Sequence, residues 1–179
     1  MNINQPLPDS KTLSKLTKVG PGRYREDHGL GFGDFIIGDI FEHRPGRTVT
    51  EADNVWMSLI CMNNHPTHIN AEYAKQTEFG QILVSSLVTF SIVGGMSLTS
   101  TSAKGIANLG WDNVRLLAPV FVGDTLYAES EVIHKRPSAS RPGQGIVTLR
   151  TKGLKANGEI CLSYERSFLI ALDQQVPVA

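Results

Sequence analysis

The chain has 179 residues, of which 41% are hydrophobic and 19% charged, and its 17 basic side chains balance 17 acidic ones. This length buries a core within one domain, and the composition excludes disordered and fibrous classes. With no net charge and its basic residues scattered, the chain offers nucleic acid no electrostatic footprint.

Residues 1–30, which include QPLPDSKT and KVGPGRYREDHG, read as an irregular N-terminal arm or a lid on a neighbouring subunit. Their start, MNINQPLPDSKTLSKL, lacks the basic-then-apolar order of a secretion signal, and no later stretch has the roughly 18 apolar residues of a membrane span. A cytoplasmic protein without a membrane partner is therefore expected. The packed domain is expected over 31–172, beginning near Phe32. A short strand around Ile40–Arg44 and a Pro45-Gly46 turn precede Thr48 or Thr50, which caps a helix of roughly 51–62 with Asp53 near its third position. Val55, Trp56, Leu59 and Ile60 recur at helical spacing there.

Pro66 keeps NNHPTH (63–68) irregular, and Asn70 caps a short helix, AEYAKQT. The run VSSLVTFSIVGGMSL (84–98) is apolar nearly all round, which describes a helix buried on every side and started by Ser85 or Ser86. Gly94 and Gly95 within it predict a close backbone approach to a sheet. Strand-like runs follow at about 106–111, 113–117, 125–135, 145–155 and 160–170, with turns at Gly123-Asp124 and Asn157-Gly158. One early strand, a buried helix and four or five antiparallel strands give an α+β fold, a curved sheet wrapped around a central helix. Residues 173–179 read as a tail. Cys61 and Cys161, in apolar contexts, read as reduced core thiols.

Polar side chains on irregular backbone beside an apolar core are where sites tend to lie, so NNHPTH is the first candidate. His68 is a candidate general base or acid, against the plainer reading of capping asparagines and surface histidines. The amides of Ser85, Ser86 and Leu87 lie at the positive end of the buried helix, where they either stabilise an oxyanion or simply begin a helix. His65 and His68 with Cys61 do not make a metal set, since Pro66 separates the histidines and no carboxylate completes the coordination. Nucleotide loops and the GxSxG elbow are missing. Arg136 and Arg141, in KRPSASRPGQG, are either phosphate contacts or a solvated hairpin tip. Arg44 and Arg47 flank the first helix, where either suits a carboxylate.

Three motifs in order, NNHPTH (63–68), FGQILVSS (79–86) and PVFVGDTL (119–126), resemble the MaoC-like hydratases, which include (R)-specific enoyl-CoA hydratases. The resemblance covers about Phe32 to Ile170. It implies a hot dog fold and a hydro-lyase acting on a 2-enoyl thioester of coenzyme A, with no cofactor beyond that substrate. It also implies a homodimer or higher homo-oligomer with sites at subunit interfaces. NLGWDNVRL (108–116) and SRPGQGIVT (140–148) resemble a subgroup for mesaconyl-CoA, methylmalyl-CoA or itaconyl-CoA, whose acyl groups are short, branched and dicarboxylic.

Within that resemblance the family's histidine falls on His68, its aspartate on Asn63, its asparagine on His65, and its His-Gly pair on Ser85-Ser86. Asparagine cannot act as a base, so His68 works with Asn63 as a water-orienting partner and His65 as a second proton carrier, or hydration has been lost. Expected substrate contacts are Ser85, Ser86, Leu87, Arg44, Arg47 and Arg141. The alternatives are a hot dog thioesterase, disfavoured because Ser85–Ser97 lacks a carboxylate, and a non-catalytic acyl-CoA binding protein.

Overall fold

A computed structural model describes residues 16–172. A five-stranded antiparallel sheet in the order β3-β5-β6-β7-β4 is formed by β3 (Ile40–Thr48), β5 (Thr125–Pro137), β6 (Gln144–Lys155), β7 (Ile160–Ala171) and β4 (Gly105–Leu116). It packs against α4 (Ser86–Ser100), with α1 (Glu51–Ile60), α2 (Pro66–Ile69) and α3 (Ala71–Ala74) between β3 and α4 in the chain. This is the expected α+β arrangement.

Strands β5, β6 and β7 alternate buried and half-exposed residues, as a half-buried sheet requires. Their inward residues meet Val88 and Val93 of α4 in one apolar cluster, which includes Ala128 and Tyr164. A second cluster gathers Leu30, Phe35, Val132, Leu149 and Phe168. Ser130 and Arg166 lie between the two clusters on β5 and β7, and His43 joins Ser130 there from β3.

Several expectations need correction. Residues 16–26 are not irregular: β1 (Leu16–Gly20) and β2 (Arg23–Glu26) form a hairpin around Gly22, which takes a φ of 65°. The arm's first 15 residues and the tail at 173–179 lie outside the described residues. Core packing begins at Leu30, slightly before Phe32. The early strand does not stop at Pro45-Gly46. It bulges across Arg44–Gly46, with a cis Arg44–Pro45 bond, and resumes pairing at Arg47. The two strands expected at 106–117 are one, β4, with register shifts and a left-handed Asn113.

The capping box of α1 is as expected, since Thr50 Oγ1 accepts from Asp53 N–H and Asp53 accepts from Thr50 N–H. Its apolar stripe points the other way: Trp56, Leu59 and Ile60 are exposed, while Asn54 and Ser58 are buried. α4 is likewise buried on one side only, with Leu87 and Leu98 about half exposed at 47% and 50%. The glycine reading fails at Gly95, where an added Cβ meets open space, and at Gly94 that atom makes only ordinary contact, 3.7 Å from the Tyr164 hydroxyl. Cys61 is exposed and Cys161 buried, both free. Among the described residues no helix is long and apolar enough to cross a membrane.

Candidate active site

After α1 the left-handed Met62 turns the chain back, and the Asn63 amide donates to Ser58 O. The irregular part of NNHPTH is only its first half, because Pro66 opens the one-turn helix α2. Pro there leaves no amide unpaired, and His65 Nδ1 accepts from the Thr67 amide as the cap. His68, on α2, is half-buried, and its Nδ1 lies 2.8 Å from Leu83 O. A carbonyl only accepts, so Nδ1 carries the proton and the neutral ring presents Nε2 as its basic atom. His65 has the opposite tautomer, its Nδ1 lone pair being occupied by Thr67. The two rings are 6.0 Å apart between centroids.

Asn63 is part of the scaffold. Its Nδ2 donates to Ser85 Oγ at 3.4 Å, and its Oδ1 accepts from the His65 amide at 3.3 Å. Ser85 starts α4, but its side chain makes no capping bond. Its amide is not free as expected, since it donates to Asn54 Oδ1 at 2.8 Å. The amides of Ser86 and Leu87 have no partner among the described residues and lie at the positive end of the 15-residue helix.

Sequence reasoning missed Asn54. This fully buried carboxamide donates to His68 O at 2.8 Å while its oxygen holds the Ser85 amide, so one side chain sets both the imidazole-bearing turn and the helix start. A polar residue on the inward side of α1, one turn before Ser58, was the available signal.

Two cavities lie along α4, one of them at its start. One of about 240 Å³ is lined by Phe79, Leu83, Ser86 and Leu116–Val120. The other, of about 720 Å³, runs along the exposed side of α4 between α1 and the β3 bulge, and brings Arg44 and Arg47 together. Arg47 pairs with Asp53 at 2.5 Å. Burial alone would raise the Asp53 pKa, but the bonds from Thr50 and Arg47 outweigh it and hold the carboxyl below its usual value. Arg44 leans outward, pairing with Glu42 at 3.1 Å and stacking over Tyr127. Arg141 is not gathered with these residues. It sits exposed at the β5–β6 hairpin tip, roughly 40 Å along the 13-residue β5 from the end near the α4 start. The Gly123-Asp124 turn is structural: Gly123 has a φ of 98°, and Asp124 accepts from the Phe121 amide at 2.9 Å. Among the described residues no three His, Cys, Asp or Glu side chains come together as a metal would need.

The family described as mesaconyl-CoA hydratase matches residues 9–178. A mesaconyl-CoA hydratase from Cereibacter sphaeroides is 34% identical over 142 residues, 79% of this chain and 41% of that protein. The chain spans less than half the length of the curated mesaconyl-CoA hydratases it matches. A solved structure described as a monoamine oxidase regulatory protein, from an Archaeoglobus species, superposes with a TM-score of 0.73 at 32% identity, covering 81% of this chain and 96% of that one. A Mycobacterium tuberculosis protein described as having a double hotdog fold gives 0.75 at 22% identity, over 84% of this chain and 47% of that one, a likeness of fold alone. The fold is a hot dog, and the chain belongs to the mesaconyl-CoA hydratase family.

Proposed function

We propose that this chain reversibly hydrates a 2-enoyl thioester of coenzyme A, with a short, branched or dicarboxylic acyl group, in the cytoplasm and as a homodimer or larger homo-oligomer. The observation that carries the reading is the fixed tautomer of His68, a single basic nitrogen held beside a helix start with two unpaired amides. As water adds to C3, His68 Nε2 takes its proton and the double-bond electrons move onto the thioester oxygen. The Ser86 and Leu87 amides stabilise that enolate, and the proton returns to C2. Asn63 and His65 hold the turn that carries His68, with Asn63 oriented toward the reacting water. The names of the relatives support the reaction class. Apolar residues left exposed along the edge strand β4, among them Ile106, Leu109 and Trp111, support assembly through that edge.

The test mixes the purified protein separately with mesaconyl-CoA, itaconyl-CoA and crotonyl-CoA and follows enoyl-thioester absorbance, with mass detection of the water adduct. Hydration of at least one substrate is expected, with His68→Ala lowering kcat at least about 100-fold while the protein stays folded. Release of free coenzyme A thiol without a water adduct would establish a thioesterase instead, and binding without either would leave a non-catalytic acyl-CoA protein.

A further inference from the structure

The β1–β2 hairpin is open on both faces: apart from Gly20, every residue of its two strands is exposed, Tyr24 by 63%. A lone two-stranded hairpin is marginally stable in water, so this one needs a surface to lie on. Its root is fixed. The Gly29 amide donates to Thr99 O at 2.7 Å, the Leu30 amide to Thr101 O at 2.9 Å, and Asp27 pairs with Lys104 at 2.8 Å. Lys104 directly precedes β4, so the hairpin springs from the start of an edge strand.

The end of the same strand borders the candidate site. Leu116 and Leu117 line the 240 Å³ cavity together with Phe79 and Ser86, and at 50% and 57% exposure both leucines form an open apolar rim. The segment that leads from α3 to α4 carries exposed Glu72 and Glu78 against Lys75 alone. The hairpin has the opposite sign, with exposed Lys18, Arg23 and Arg25 against Glu26. Within one copy the two surfaces do not meet, because the 12 residues of β4 span about 40 Å and the five of β1 reach about 17 Å. Between copies they do. A strand that pairs with its own copy across a two-fold axis runs antiparallel to it, so the start of one β4 lies opposite the end of the other.

We infer that the β1–β2 hairpin of one copy docks over the helix-start cavity of a second copy, Tyr24 lying against the apolar rim and the hairpin's cations facing the partner's Glu72 and Glu78. The inference rests on the assembly through β4 proposed above. The two-fold makes the contact twice, so each copy's arm covers the other's site, and opposite charge fixes where the arm lies.

The test uses the full chain with its exposed Cys61 changed to serine, Cys161 being buried. Tyr24→Cys and Leu117→Cys are introduced together and separately, and a short bis-maleimide is added. The double variant is expected to give a covalent dimer on a denaturing gel, and neither single variant to do so. Sedimentation then compares dimer affinities at low salt. Lys18→Glu with Arg25→Glu is expected to raise the dimer Kd about tenfold, and adding Glu72→Lys and Glu78→Lys to recover most of it. A dimer that shows no link between copies, a link within one chain, or a Kd indifferent to the charge reversals would overturn the docking and leave assembly through β4 standing. A wild-type chain that sediments as a monomer throughout would sink the assembly itself, and the docking with it.

Discussion

His43 makes the protein's stability pH-dependent in a way that one substitution isolates. The side chain is 1% exposed, its Nδ1 lies 2.6 Å from Ser100 Oγ and its Nε2 2.8 Å from Ser130 Oγ. Burial, then the nearby charges of Arg166 and Arg44, lower its pKa from 6.5 to about 4. The folded protein thus keeps His43 neutral where the unfolded chain protonates it. The stabilisation is complete above about pH 6.5, is lost as pH falls from there towards 4, and the loss levels off below. The difference in pKa corresponds to about 3 kcal/mol in full, and to about 2 kcal/mol at pH 5. Urea unfolding at pH 7.5 and 5.0, at one protein concentration, should show the wild type losing about 2 kcal/mol more than His43→Gln, or a midpoint difference near 1 M. Asp53, and Glu165, which Arg150 and Asn113 hold low, also weaken the fold on acidification, but both proteins share those losses. Equal losses in the two proteins would refute a buried neutral imidazole at position 43.

Asn54→Ala leaves His68 O and the Ser85 amide without their partner, a cost of about 2–4 kcal/mol. Thermal melting should show it, Asn54→Asp should recover part by keeping the acceptor for Ser85, and a loss below about 1 kcal/mol would contradict the shared-anchor role. At Gly29 the φ is 78° and an added Cβ would lie 2.8 Å from the Lys104 amide nitrogen, while the Gly29 amide caps Thr99 O. Gly29→Ala should therefore destabilise by about 1–3 kcal/mol, more than Gly22→Ala, which has a similar φ but open space around it. Equal effects in denaturant unfolding would mean that the close approach costs nothing.

The sheet and central helix were legible because β-branched alternation and turn residues mark strands locally, and Thr50 with Asp53 marks a helix start locally. What failed depends on partners distant in sequence. The stripe Trp56, Leu59 and Ile60 has the correct period but faces outward, because the inward positions are spent on Asn54 and Ser58. Periodicity identifies a helix without saying which side is covered. The bulge at Arg44–Gly46 was mistaken for a turn, since Pro-Gly signals either. In the site, His68 and the helix-start amides could be picked out from residue type and position. That Ser85's amide was already taken could not, because its partner lies 31 residues away in α1.

In the proposed reaction, with asparagine at position 63, the number of proton carriers fixes the stereochemistry of water addition. Adding water to a double bond removes one proton from water and places one on C2, so the two steps balance without a net proton. His68 Nδ1 is committed to Leu83 O, leaving Nε2 as its one exchanging atom, and the lone pair of His65 Nδ1 is occupied by Thr67. Asn63 neither takes nor gives a proton at neutral pH. If Nε2 takes the proton from the attacking water and returns it to C2, both additions happen on the face that His68 meets, and the hydration is syn. Hydration in D2O, followed by NMR coupling analysis of the product's C2 and C3 hydrogens, reads the outcome directly. A syn product is expected for wild type. Asn63→Asp supplies a second base, and its addition should stay syn and run faster if position 63 faces the water. An anti product from the wild type would require a second proton carrier on the opposite face, and the single-histidine scheme would have to be abandoned.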